Sequence, residues 1–220
     1  MTGYLAELNA RCTEIVQLLE PLPEDYTEPG HPHDVAQLQQ KLVLISDAFE
    51  DLGENAKNER EKFREQARKG QFSAILDVPE RLLKPIQAQL YPIGGELVKV
   101  ENAIQAYRET KLIRVNEFFC QPLIPLFQAC KQTPPEPVML DHIKQLSLHD
   151  TQIYLDAQVL KWEKQAASLL AGTGLDVKAW RELAASIAKG VNPSIDATIQ
   201  ENLVNKGILK VQLSFGGGQA

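Results

Sequence analysis

Val35, Leu42, Phe49, Ala56 and Phe63 recur at heptad spacing, and Leu38, Ile45 and Leu52 follow the first three at an interval of three. On an α-helix these positions form one narrow apolar stripe. The pattern predicts a long helix from about Asp34, whose carboxylate can cap the start, to Lys69, with Gly70 as the stop. A stripe of this kind is built to lie against another helix. Its last third changes character, because Glu59 and Gln66 stand where apolar residues would continue the seam. Lys57, Arg60, Lys62, Arg64, Arg68 and Lys69 crowd the same stretch and form the candidate interaction surface.

Helical spacing also marks the segment from Thr2 to Glu20, through Leu5, Leu8, Cys12, Ile15, Val16 and Leu19, with Pro21 ending it. Pro21, Pro23, Pro29 and Pro32 make the acidic stretch that follows a loop. Between Gly70 and Gly95 the apolar pattern is interrupted, which predicts one broken helix with Pro79 in its first turn and a kink at Pro85. Gly94-Gly95 is expected to open a second long helix with Leu97, Val100, Ile104 and Tyr107 on one face. The stripe then shifts to Leu112, Val115 and Phe119, so this helix is expected to change neighbours halfway along. Pro122 and Pro125 end or kink it beside the apolar patch Leu123, Ile124, Leu126 and Phe127.

Thr133-Pro134-Pro135-Glu136-Pro137 is the best boundary in the chain, being stiff, polar and followed by a fresh helical pattern. Ser147 with Asp150 resembles a capping box for a helix from about Leu148 to Ala171. Ile153, Leu155, Val159, Leu160, Trp162, Ala166, Leu169 and Leu170 form its apolar stripe. Asp176 opens a further helix carrying Val177, Trp180, Leu183, Ala184 and Ile187. Asn192-Pro193 is expected to cap a short one with Ile195, Ile199 and Leu203, stopped by Gly207. Strict alternation from Ile208 to Phe215 predicts a single strand.

These elements predict an all-α fold: an elongated helical bundle with long antiparallel coiled-coil-like helices over residues 1–132, and a small C-terminal helical lobe over 138–215 ending in one short strand. Residues 216–220 read as a flexible tail. Residues 176–215, through Leu183-Ala184-Ala185-Ser186-Ile187, Asn192-Pro193-Ser194 and Leu203-Val204-Asn205-Lys206-Gly207-Ile208-Leu209, are similar to the winged-helix arrangement. That resemblance implies a nucleic-acid or protein-binding module. Asp196 and Glu201, with Lys206 as the clear cation, turn the expectation toward protein.

The 220 residues suffice for a genuine core without disulfide or metal staples. A net charge of −6 gives nucleic acid no attraction to the chain as a whole. Cys12, Cys120 and Cys130 are odd in number, lack CxxC spacing and sit in apolar helical contexts, so they read as buried reduced thiols of a cytoplasmic protein. No basic-then-apolar leader opens the chain, and no run of about 18 apolar residues is free of charge, so export and a transmembrane segment are not expected.

Chemistry is thinly represented. His31 and His33 with Glu28 and Asp34 lie in a Pro-rich loop that offers no rigid metal framework. Asp141-His142 and His149-Asp150 lack a nucleophile in a strand-turn-helix elbow, and neither GxxxxGK[ST] nor GxGxxG occurs. No catalytic, cofactor-binding or metal residue is assigned. Lys99, Arg108, Lys111 and Arg114 are the remaining basic set; a single positive face shared with 57–69 is one reading, but the interspersed Glu59, Glu61, Glu65, Glu101 and Glu109 favour a solvated, ion-paired surface. The leading expectation is a non-enzymatic scaffold, adaptor or assembly subunit whose partner is another protein or a second copy, as in a homodimer. A nucleic-acid-associated factor stands second, and a curved membrane-binding dimer third.

Overall fold

The computed structural model describes residues 2–20, 35–70, 78–191 and 195–209. Within them the chain is all-α: α1 (Thr2–Leu18), α2 (Val35–Arg68), α3 (Val78–Val115), α4 (Ile124–Ala129), α5 (Leu148–Leu170), α6 (Val177–Ala188) and α7 (Ala197–Asn205). No strand occurs among the described residues. Of the predicted strand only Ile208 and Leu209 are described; Lys210 to Phe215, the tail 216–220 and the loop with His31 and His33 lie outside them. The chain divides into two compact units, one of residues 1–107 with 145–149 and one of 108–144 with 150–220.

In the first unit the heptad seam is covered within the chain from Val35 to Ala56. Leu38, Leu42, Ile45 and Leu52 of α2 are buried in one cluster with Leu8, Cys12, Ile15 and Leu19 and with Leu90, Leu97, Val100, Ile104 and Tyr107 of α3. Val35, Phe49 and Ala56 pack against that cluster as half-buried residues. Val16, expected on the buried face of α1, is exposed instead. Polar ties reinforce the apolar one: Gln39 donates Nε2 to the Leu19 carbonyl at 2.9 Å, and Arg11 forms a two-point ion pair with Glu101. Gly70, with φ +74°, adopts the left-handed conformation just beyond the end of α2.

The expected break between Gly70 and Gly95 is corrected by α3, which runs unbroken through Pro85, Pro92, Gly94 and Gly95. The physical reason is the stripe Leu90, Leu97, Val100, Ile104, whose spacing carries the same buried face across the glycines. Burying those side chains outweighs a helix-propensity penalty of about 1 kcal/mol per glycine. The division between units falls at Tyr107 and Arg108, where the sequence stripe shifts.

The second unit begins with the last turns of α3, which pass into a π-helical turn, Asn116–Cys120, and a 3₁₀ turn, Gln121–Leu123, before α4. Pro122 and Pro125 each fall in the first turn of a new segment, where a missing N–H costs nothing. Cys120, Leu123, Leu126, Phe127, Ile143, Leu155, Trp162, Leu170, Trp180, Leu183 and Leu203 are among its buried apolar residues. Trp180 Nε1 donates to the Pro122 carbonyl at 2.9 Å, tying α6 to the 3₁₀ turn. Arg181 stacks on Phe119 at 4.5 Å from the ring centroid and pairs with Glu163 of α5 at 2.9 Å.

The Pro-rich stretch Thr133–Pro137, expected as a lobe boundary, lies inside this unit. It runs as a strap that Asn116 holds by both ends of its amide: Nδ2 donates to the Val138 carbonyl and Oδ1 accepts from the Val138 N–H, each at 2.9 Å. Cys120 Sγ donates to the Pro135 carbonyl at 3.5 Å. The expected cap of the last helix is also corrected. α7 begins at Ala197 with Asp196 as its cap, accepting from the Thr198 and Ile199 amides, so Ile195 precedes the helix. A carboxylate at the N-cap satisfies orphan amides and meets the positive helix end, which places α7 on Asp196 rather than on Asn192.

Two stability outcomes follow from these contacts. Leu97→Ala, at a fully buried site, is expected to lower unfolding free energy by about 3 kcal/mol in urea titrations followed by circular dichroism. Asn116→Ala leaves two buried Val138 backbone groups without partners and is expected to cost about 2 kcal/mol, with faster amide exchange at Val138 as the local readout.

Candidate interaction surfaces

The basic third of α2 is an exposed helix face. Lys57, Arg60, Lys62, Arg64, Arg68 and Lys69 are all exposed, while Phe63 and Ala67 are half-buried. Lys62 pairs with Glu59 at 2.8 Å and Lys69 with Glu65 at 3.9 Å. Lys57, Arg60, Arg64 and Arg68 take no ion pair among the described residues. Arg64 and Arg68 line an open concavity with Asn58, Glu61, Lys62 and Glu65.

The second basic set does not form one positive face. Lys99 is exposed and paired with Glu96, whose carboxyl it holds below the usual range through a hydrogen bond. Arg108 and Lys111 are each only 3% exposed. Their spacing of three along α3 turns both inward together. Arg108 Nη1 donates to the Lys144 carbonyl at 2.8 Å, and burial pushes its pKa below the ordinary arginine value. Burial also brings Lys111 down to about 8, the Arg114 charge acting in the same direction and Asp156 opposing it.

Asp141 and His142 are engaged with different neighbours. Asp141 binds Lys144 at 2.9 Å, which holds its carboxyl low, while His142 meets the Tyr154 ring edge-on at 6.5 Å between centroids. Burial raises the Cys12 and Cys120 thiols, which disfavours the nucleophilic thiolate. No group of three or more His, Cys, Asp or Glu side chains is placed to hold a metal among the described residues, and no described helix is long and apolar enough to cross a membrane.

Two concave features escaped the sequence reading. In the second unit, the strap Thr133–Val138 forms one wall of a groove of ≈ 410 Å³, opposite Tyr154, Gln158, Lys161 and Gln165. Those four recur at intervals of four, three and four, so α5 offers them as one face, next to the core face of Leu155, Trp162 and Ala166, from which Trp162 also reaches the groove lining. That periodicity was a usable signal, but the strap that completes the groove was not. Ile153 and Leu160, expected in the core, belong to a third face and are exposed.

In the first unit, Leu44, Ile45, Ala48, Pro92 and Ile93 line an apolar cleft of ≈ 230 Å³ with Lys41 and Glu96 at its edge. Leu44 is 68% exposed and the neighbouring Tyr91 81%. The heptad pattern hid this feature, since Leu44 falls outside the seam.

Comparison with protein-family models, with curated proteins and with solved structures finds no match to this chain.

The buried lysine has a signed consequence for stability. Folded Lys111 loses its proton near pH 8, against 10.5 for the ordinary lysine value, so the unfolded chain binds more protons between the two. Stability therefore rises with pH across that window; the penalty is full below it and gone above it. Relative to Lys111→Met, which lacks the titration, the wild-type chain is expected to gain about 3 kcal/mol across the window, measured by chemical denaturation at a series of pH values.

Proposed function

We propose that the protein is a non-enzymatic helical scaffold or assembly subunit acting through protein–protein contacts, and that its first partner is a second copy of itself. The observation that carries this reading is the apolar cleft of the first unit, with its lining residue Leu44 held out in solvent and the exposed Tyr91 next in the chain to the lining Pro92. Exposed apolar clusters next to a cleft mark interaction sites, and a rigid tyrosine is a favoured anchor residue.

Charge placement favours a copy over an unrelated protein. Lys41 lies on α2 and Glu96 on α3, near enough for Lys41 to help lower the Glu96 pKa. A two-fold axis along the cleft sets Lys41 of each copy opposite Glu96 of the other and apolar wall against apolar wall, the self-complementarity that an isologous dimer requires. The heptad seam is not the contact, because α1 and α3 already cover it.

Sedimentation equilibrium over a wide concentration range tests the proposal. The wild-type mass is expected to rise toward the dimer, Leu44→Glu to stay monomeric with unchanged helicity, and Lys41→Glu to weaken association at least about tenfold, with Glu96→Lys in the same chain restoring it. A wild-type chain that stays monomeric at every concentration overturns the self-assembling form.

A further inference from the structure

The charged third of α2 has a regularity that its composition conceals. Lys57, Arg60, Arg64 and Arg68 are spaced three, four and four residues apart, so they stack on one face of the helix. Their Cα positions rise by about 4.5, 6 and 6 Å along the axis. The lysines that do form ion pairs, Lys62 and Lys69, lie on a different face and neutralise Glu59 and Glu65. The four stacked cations are the ones without an ion pair among the described residues. Six cations against three carboxylates from Lys57 to Lys69 make this stretch net positive in a chain of net charge −6.

We propose that this stripe binds the phosphate backbone of nucleic acid without reading its sequence. Three of the four cations are arginines, whose planar fork matches phosphate oxygens two at a time. No large apolar side chain between Lys57 and Lys69 is exposed, so the stripe lacks the anchors with which a helix enters a lipid surface or a protein hot spot. The stripe itself is made of Lys and Arg alone, with Asn58 beside it in the concavity, and its regular spacing along one helix face suits the repeating phosphates of a backbone. Glu61, exposed beside Arg64 and Arg68 in the concavity, holds the affinity down to the range of non-specific binders.

The inference stands apart from self-association, which uses Leu44 and the cleft. Anisotropy titration of a fluorescein-labelled duplex of about 20 base pairs with the full chain, at several salt concentrations, tests it. Micromolar binding is expected near 50 mM salt, with log K falling against log salt at a slope of about −3 to −4 for four phosphate contacts. Arg64→Ala is expected to reduce that slope by about 1, and joint reversal of Arg60, Arg64 and Arg68 to glutamate to weaken binding more than about tenfold, irrespective of duplex sequence. Reversal of Lys178 and Lys189 in and after α6 leaves binding unchanged. Leu44→Glu keeps the affinity of the single chain, which separates this result from any failure of the dimer. The proposal is overturned if no binding appears at the lowest salt, if the arginine reversal leaves affinity intact, or if polyglutamate or anionic vesicles displace the duplex as effectively as unlabelled duplex does.

Discussion

The rest of the molecule depends on the unbroken apolar face of α3. Leu90, Leu97, Val100, Ile104 and Tyr107 supply one side of the first unit's core; the next turns of the same helix supply Arg108 and Lys111 and lead into the π-helical turn whose Asn116 fixes the strap of the second. A helix of this length is not held by local propensity where two prolines and two glycines interrupt it. Burial along one face sustains it, because each buried leucine-sized side chain contributes about 1.5–3 kcal/mol, against about 3 for an internal proline and about 1 for a glycine.

The second unit has a different kind of economy. Its Pro-rich strap cannot supply a regular set of backbone donors, so a single amide side chain, Asn116, meets the Val138 backbone in both directions. Proline rigidity makes that arrangement inexpensive in entropy, and the fixed strap leaves a groove against α5. The buried pair Arg108 and Lys111 shows the opposite balance. Arg108 finds a carbonyl, and both groups lose hydration that lowers their proton affinity.

Much of the fold was legible along the chain. The extents of α2 and α5 follow from periodicity, and the start of α6 from the Asp176 cap, since these are decided within a few residues. Gly94-Gly95 misled because a glycine pair reads as a stop when its neighbours are unknown. Asn192, which lies outside the described residues, misled in the same way, for two capping residues stand four apart in the chain and the helix starts at the second, Asp196. The cationic residues 57–69 were visible as composition, while the separation of paired from unpaired members needed the ion-pair geometry.

What the sequence alone determined is the all-α class, the seam on α2 and the concentration of positive charge at its end, because each is a property of spacing along one helix. What only the tertiary structure decided is which faces are covered. α1 and α3 close the seam, Arg108 and Lys111 turn inward instead of joining a positive surface, and Leu44 with Tyr91 is left outside. Periodicity gives the angle of a side chain about its own helix axis. Whether that direction points to core or solvent depends on neighbours brought together from distant parts of the chain.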